Sequence, residues 1–108
     1  MKPVTKENLL EAIQKVEDQN RLIKRAYIGS GGCRCVIGHL MDDYEIEYIV
    51  NTNLQNRTVD ALSLDLTTRE LITLSDLQVL NDHSQSVEEF MQKAKSYVER
   101  HYELTESA

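Results

Sequence analysis

Thiol chemistry is the sharpest enzymatic hypothesis that the residue types and their spacing suggest. Cys35 follows a glycine-rich run, and at a helix start its thiolate would be favoured by the helix dipole and by Arg34. His83, beside Asp82, would supply a base and an orienting group, as a thiol nucleophile requires. The alternative is that Cys35 is a small buried hydrophobic residue, since cysteine is among the most buried residue types. We favour this alternative, so the sequence assigns no catalytic residue.

Metal and cofactor sites are not indicated. The residues that would have to supply a metal site are Cys33, Cys35, His39 and His83. On a helix, residues two apart point about 200° away from each other, so the two thiols cannot hold one ion there. Cys35 and His39 share a helical face, but two ligands do not make a closed zinc site. The glycine run lacks the Gly-Lys-Ser/Thr ending of a phosphate loop. We therefore expect no metal and no cofactor.

A basic segment stands out in an acidic chain. The net charge is −6, which disfavours broad binding to nucleic acid because such binding depends on neutralising phosphates. Residues 21–41 contain no acid, whereas the rest of the chain holds eight basic and 18 acidic residues, a net of −10. The candidates for an anion or nucleic-acid contact are the four basic residues of this segment: Arg21, Lys24, Arg25 and Arg34. The alternative, which we favour, is that they are solvated surface charges.

The elements that would position these residues are mainly helical. Thr5 can cap a helix over residues 5–19, where apolar residues recur at helical spacing. We favour a further helix over 34–42, with a small β-hairpin around residues 22–37 as the competing interpretation. Residues 43–50 fit either a strand, because apolar residues alternate there, or a helix, because Ile46 and Ile49 would share a face.

The second half of the chain reads as a series of short helices. Thr58 begins one, a turn follows at 67–68, and Ser75 with Gln78 has the spacing of a capping box that would begin another. Residues 81–85 form a loop, and the last helix runs over about 87–103, with Ser86 and Glu89 as its capping box. The sequence therefore predicts one all-α domain over residues 1–108, a compact bundle of five to six short helices.

Two segments resemble a known family. The run Cys35-Val36-Ile37-Gly38-His39-Leu40 is similar to the Cys-x-x-Gly-x-Leu helix start of a family of small uncharacterised helical proteins from bacteriophage and bacterial genomes. The run Leu77-Gln78-Val79-Leu80-Asn81-Asp82 resembles the Leu-Asn-Asp segment before that family's last helix. The resemblance implies a helical fold and a phage or prophage setting, and it implies no activity.

The function that these observations favour is protein binding. No catalytic pattern is stronger than its structural explanation, and an acidic compact domain suits a basic partner surface. No apolar run approaches the ~20 residues of a membrane span, and the two cysteines, too close together for an unstrained disulfide, suit a reducing compartment. We expect a cytoplasmic protein-binding module. A cysteine-dependent enzyme and an anion-binding protein are the alternatives.

Overall fold

Four α-helices make up most of the fold, which a computed structural model describes for residues 1–62 and 64–106. They are α1 (Lys6–Gln19), α2 (Asp43–Asn51), α3 (Thr68–His83) and α4 (Val87–Glu106). Three single 3-10 turns accompany them: Ser30–Gly32, Gly38–Leu40 and Val59–Leu62. The all-α prediction is confirmed, but the predicted number of five to six helices is wrong, because the helices expected over 34–42 and from Thr58 are single 3-10 turns, Gly38–Leu40 and Val59–Leu62.

The first helix follows the sequence closely. The Thr5 hydroxyl accepts a hydrogen bond from the Asn8 amide at 3.2 Å, and Asn20 ends α1 in the left-handed conformation, with φ of 53°. The apolar spacing predicted a buried face with Leu9, Leu10, Ile13 and Val16. The residues buried in α1 are Leu9, Ala12, Ile13 and Val16, and Leu10 is partly buried against them. This face packs against α4, whose own buried stripe comprises Phe90, Met91, Ala94 and Val98. Together the two helices form one side of the core.

The connection from α1 to α2 is mostly irregular, and both interpretations of it were wrong. The predicted helix over 34–42 is reduced to the 3-10 turn Gly38–Leu40. The predicted hairpin is reduced to a single antiparallel bridge between Ile28 and Arg34, with no strand in the described part of the chain. This connection is nevertheless buried deeply, for Tyr27, Val36, Ile37 and Leu40 have no exposed surface.

Side-chain amides hydrogen-bond to the backbone of this irregular connection. Gln55 accepts from the amides of Tyr27 and Ile28, at 2.9 and 3.2 Å, and donates to the Ile28 carbonyl at 3.2 Å. Gln19 accepts from the Arg34 amide at 3.1 Å and donates to its carbonyl at 2.7 Å. Each glutamine thus occupies the position that the backbone of a neighbouring strand would occupy in a sheet.

The third helix is longer than the sequence predicted. Thr67 and Glu70 form a capping box at its start, with Thr67 Oγ1 accepting from the Glu70 amide at 3.1 Å. The helix then continues to His83 through the expected break at Ser75 and into the expected loop at 81–85. Gln78 does not act in a cap. Its side chain instead accepts from the Val59 amide at 3.1 Å, which fixes the preceding 3-10 turn.

The last helix begins where the sequence predicted. The Glu89 amide donates to Ser86 Oγ at 3.1 Å, and the Glu89 carboxylate accepts from the Gln85 amide at 2.6 Å. The return bond therefore reaches the residue before the cap rather than the cap itself. The helix is placed as expected, and its described end at Glu106 lies only a few residues beyond the predicted one.

Gly38 lies against the backbone of Tyr27, an earlier part of the same irregular connection. A Cβ atom at this position would be 2.2 Å from the Tyr27 carbonyl oxygen and 3.0 Å from the Arg34 Cβ. A backbone oxygen cannot move aside as a flexible side chain can, so the close approach requires glycine.

We expect Gly38→Ala to lower the free energy of unfolding by at least about 2 kcal/mol, because the overlap can be relieved only by moving buried backbone. Urea denaturation followed by circular dichroism measures this. Gly31→Ala is the matched control, since φ there is 69° but nothing lies within 4 Å of the new methyl group, and it should cost only about 1 kcal/mol. Equal losses in the two variants would contradict the contact.

Candidate functional site

Cys35 lies in the core. It is 2% exposed, and its Sγ accepts a hydrogen bond from the Gly38 amide at 3.3 Å. Burial raises the pKa of the thiol to about 12, even though nearby backbone amides act in the opposite direction. The thiol is therefore protonated at neutral pH and packed as a hydrophobic side chain, which disfavours a nucleophilic role. Cys33 is half-buried, and neither cysteine is in a disulfide.

Asn81 and Asp82 hydrogen-bond to the backbone of the irregular connection and do not orient His83 as a catalytic base. Asn81 is fully buried. It accepts from the Val36 amide at 3.2 Å and donates to the Ile23 carbonyl at 2.7 Å. Asp82 accepts from the Arg25 amide at 3.0 Å. His83 is exposed at the last position of α3, so the three neighbours do not form a catalytic group around Cys35.

The four basic candidates do not act together. The Arg34 guanidinium is occupied by contacts within the chain, because it donates to the carbonyls of Gly38 and Met41 and pairs with Asp43 at 2.6 Å. Arg21 and Lys24 are exposed. Arg25 lines a groove of about 490 Å³ together with residues of the 56–58 segment and the end of α3, including Asp82 and His83. We call this the polar groove.

His39 is half-buried and hydrogen-bonds through Nε2 to Gln19 Oε1 at 2.9 Å. Burial, reinforced by the positive charges of Lys15, Arg34 and Lys2, lowers the pKa of its imidazole to about 4. The ring is therefore neutral at physiological pH, and its hydrogen bond to Gln19 connects it to the end of α1. Within the described ranges, the structure brings together no group of three or more His, Cys, Asp or Glu side chains that could hold a metal ion.

The exposed face of α2 is a feature that the sequence did not reveal. Asp42 and Glu45 form a capping box at the start of the helix, and Ile46 and Ile49 are buried against the core. Tyr44 and Tyr48, four residues apart, therefore point outward with 78% and 55% of their surface exposed. Of the two alternatives left open for residues 43–50, the helix is the one that forms, as α2, and the four-residue spacing of the tyrosines was the signal for this face.

A small apolar groove adjoins these tyrosines. Its volume is about 100 Å³, and its lining is largely apolar: Met41, Tyr44, Glu45, Tyr48, Ile49, Leu54, Leu62 and Leu64. We call the two tyrosines and this groove the tyrosine face. Its size suits one apolar side chain of a partner, with the two aromatic rings at its edge.

The surroundings of the tyrosine face are acidic. Residues 35–56 contain four acidic residues and no Lys or Arg: Asp42, Asp43, Glu45 and Glu47. Two are partly neutralised, since Asp43 pairs with Arg34 and Glu45 with the amino group of Met1 at 2.5 Å. Glu47 is exposed between the two tyrosines in sequence. The face therefore combines aromatic and apolar surface with negative charge.

In comparisons with protein-family models, curated proteins and solved structures, this chain matched none. The resemblance to the phage and bacterial family therefore stays a prediction. In this chain its key residues have structural roles: Cys35 and Gly38 pack in the irregular connection, and Asn81 and Asp82 hydrogen-bond to its backbone. No helix in the described chain is long and apolar enough to cross a membrane.

We expect Asn81→Ala to lower the free energy of unfolding by about 2–5 kcal/mol, because it leaves the buried Val36 amide and Ile23 carbonyl without this partner. Thermal and urea denaturation measure the loss. Asn51→Ala makes the same change at an exposed helical position and should stay within about 0.5 kcal/mol of the wild type. Two variants of equal stability would show that the buried amide bonds contribute nothing.

We also expect Cys35 to alkylate at least about a hundredfold more slowly than an unfolded thiol at pH 8, because it is buried and protonated. Iodoacetamide labelling of the Cys33→Ser variant, followed by intact mass, isolates Cys35, and Cys35→Ser isolates the half-buried Cys33. In urea the two variants should react at similar rates. A fast native reaction of Cys35 with a plateau near neutral pH would restore the cysteine-enzyme hypothesis.

Proposed function

We propose that this chain is a protein-binding module that docks a basic partner on the tyrosine face. The observation that supports the proposal is the exposure of Tyr44 and Tyr48 beside an apolar groove. A contiguous exposed patch of apolar and aromatic side chains marks an interaction site more often than isolated exposed residues do, and tyrosine is enriched among residues that dominate binding energy. An apolar anchor from the partner would fill the groove while the rings close around it.

Charge favours a basic partner over a second copy of the chain. In a two-fold dimer the same face would meet itself, which would bring the acids of residues 42–47 close to their own copies. Like charges across an interface are destabilising, whereas a partner with Lys or Arg around an apolar anchor would be attracted. The net charge of −6 would further accelerate encounter with a basic protein.

The setting of this interaction follows from the family resemblance. We infer a cytoplasmic protein encoded by a phage or prophage, and its partner would be a host or competing-phage protein with a basic surface. A surface that normally contacts nucleic acid has this chemistry, so the module would present carboxylates where phosphates would otherwise bind.

The test is site-specific photo-crosslinking in bacterial lysate. A benzophenone amino acid at Tyr44 should capture a basic protein, whereas the same group at the exposed α4 position Gln92 should not. With the captured partner purified, Tyr48→Ser should weaken binding about five- to thirtyfold, in line with the loss of an aromatic anchor. It should leave the melting temperature nearly unchanged because the side chain is largely exposed.

A pair of charge reversals separates local from global electrostatics. Glu47 lies beside the tyrosine face, between its two tyrosines in sequence, and Glu99 lies on α4. Both positions are exposed, and Glu47→Lys and Glu99→Lys change the net charge equally. Only Glu47→Lys should slow association markedly, and added salt should slow the wild type toward the same rate. Equal effects of the two reversals, or equal crosslinking at Gln92, would reject the tyrosine face as the docking surface.

A further inference from the structure

Three separate parts of the chain line the polar groove. Arg25 contributes from the connection after α1, Arg57 and Thr58 from the segment before the third 3-10 turn, and Gln78 and His83 from α3. None of its lining residues belongs to the tyrosine face. Its volume of about 490 Å³ lies within the range of pockets that hold small ligands, about 300–1,000 Å³.

Buried hydrogen bonds hold the segments that line the groove in place. The Tyr27 hydroxyl donates to the Arg57 backbone carbonyl at 2.8 Å and accepts from Nε2 of the Gln78 side chain at 3.0 Å. The Arg57 amide donates to the Leu54 carbonyl at 3.1 Å. Because Tyr27 is fully buried, the segment carrying Arg57 is held firmly against α3. The groove is thus preformed, which reduces the entropic cost of binding a ligand.

Arg25 has an unusual backbone conformation at the edge of this groove. Its φ is 60°, and the other non-glycine residues with positive φ in the described chain are Asn20 and Asn53. Asparagine tolerates this region, whereas arginine is uncommon there and such strain tends to cluster at functional sites. The Asp82 carboxylate, accepting from the Arg25 amide at 3.0 Å, holds the residue in this conformation.

The two guanidinium groups are not neutralised. Within the described residues, neither Arg25 nor Arg57 forms an ion pair through its side chain, although the chain as a whole carries an excess of acids. Asp82 is the carboxylate among the lining residues, so the two arginines and this acid sum to +1. The exposed His83 side chain adds a further hydrogen-bonding group to the lining.

We propose that the polar groove binds a small ligand through a phosphate or carboxylate group held between Arg25 and Arg57. The guanidinium fork matches both oxyanions, donating two parallel hydrogen bonds to each. The net charge of the lining suits a group with one or two negative charges, and the volume of the groove leaves room for a small organic body attached to that group. Of the four basic residues singled out in the sequence, this site uses Arg25 and leaves Arg21, Lys24 and Arg34 outside.

The test is a titration of the full chain, at low salt and without phosphate buffer, with pyrophosphate, AMP and succinate in turn. Amide and arginine Nε–H signals in nitrogen–proton correlation spectra report binding. We expect saturable shifts confined to the residues around Arg25, Thr58 and His83. Saturation by pyrophosphate or AMP alone identifies a phosphate ligand, and comparable saturation by succinate identifies a carboxylate ligand.

Matched variants decide whether the two arginines form the site. Arg57→Gln should weaken binding about tenfold or more, since it removes charge-assisted hydrogen bonds. Arg21→Gln, an equal change of charge at an exposed position outside the groove, should leave binding within about twofold. Arg25→Gly removes the charge and relieves the strained backbone, so it should lose binding while remaining at least as stable as the wild type.

Three results would overturn the proposal. They are the absence of saturable shifts up to about 10 mM of each probe, saturation unchanged in Arg57→Gln, and equal weakening by Arg21→Gln and Arg57→Gln, which would indicate general charge attraction. None of these results bears on the tyrosine face, because the two surfaces share no lining residue.

Discussion

Buried backbone without regular structure must still form hydrogen bonds, and amide side chains provide them here. The connection between α1 and α2 passes through the core, where an unpaired amide or carbonyl would cost about 1–3 kcal/mol. Gln19, Gln55 and Asn81 each accept from a backbone amide of this connection and donate to one of its backbone carbonyls. Their side chains do what a neighbouring strand does in a sheet, so the helices and the irregular core depend on one another.

This arrangement changes the interpretation of the residues whose types had suggested catalysis. Cys35 is buried beside the 3-10 turn that Gly38 begins, and Asn81 and Asp82 face the backbone of the same connection. The residues that suggested a nucleophile and its base are those that hold the irregular core together. Two surfaces remain exposed: the tyrosine face on α2, which is acidic and apolar, and the polar groove beside α3, which is lined by two arginines without an ion pair among the described residues.

The helical parts of the prediction succeeded where local signals were sufficient. Thr5 and Ser86 cap helices as expected, because a cap and an apolar stripe are both encoded within a few residues. The helix at 34–42 failed because Gly38 and its neighbours are used for a close backbone approach to Tyr27. The break at Ser75 failed because the same residue types that form a capping box also fit a continuous helix, and Gln78 is used to bond the Val59 amide.

By itself the sequence determined the helical class, the starts of α1 and α4, the excess of acid and the position of the basic segment, since these depend on composition and on contacts between near neighbours. Only the tertiary structure decided that Arg34 pairs with Asp43 and donates to backbone carbonyls, whereas Arg25 and Arg57 line the same groove. It also decided that α2 buries its isoleucines and exposes its tyrosines. The polar groove in particular depends on contacts between distant parts of the chain, such as the bonds from the Tyr27 hydroxyl to the Arg57 carbonyl and from Asn81 to the Ile23 carbonyl, which span 30 and 58 residues. Contacts at such separations produce no periodic pattern in the sequence.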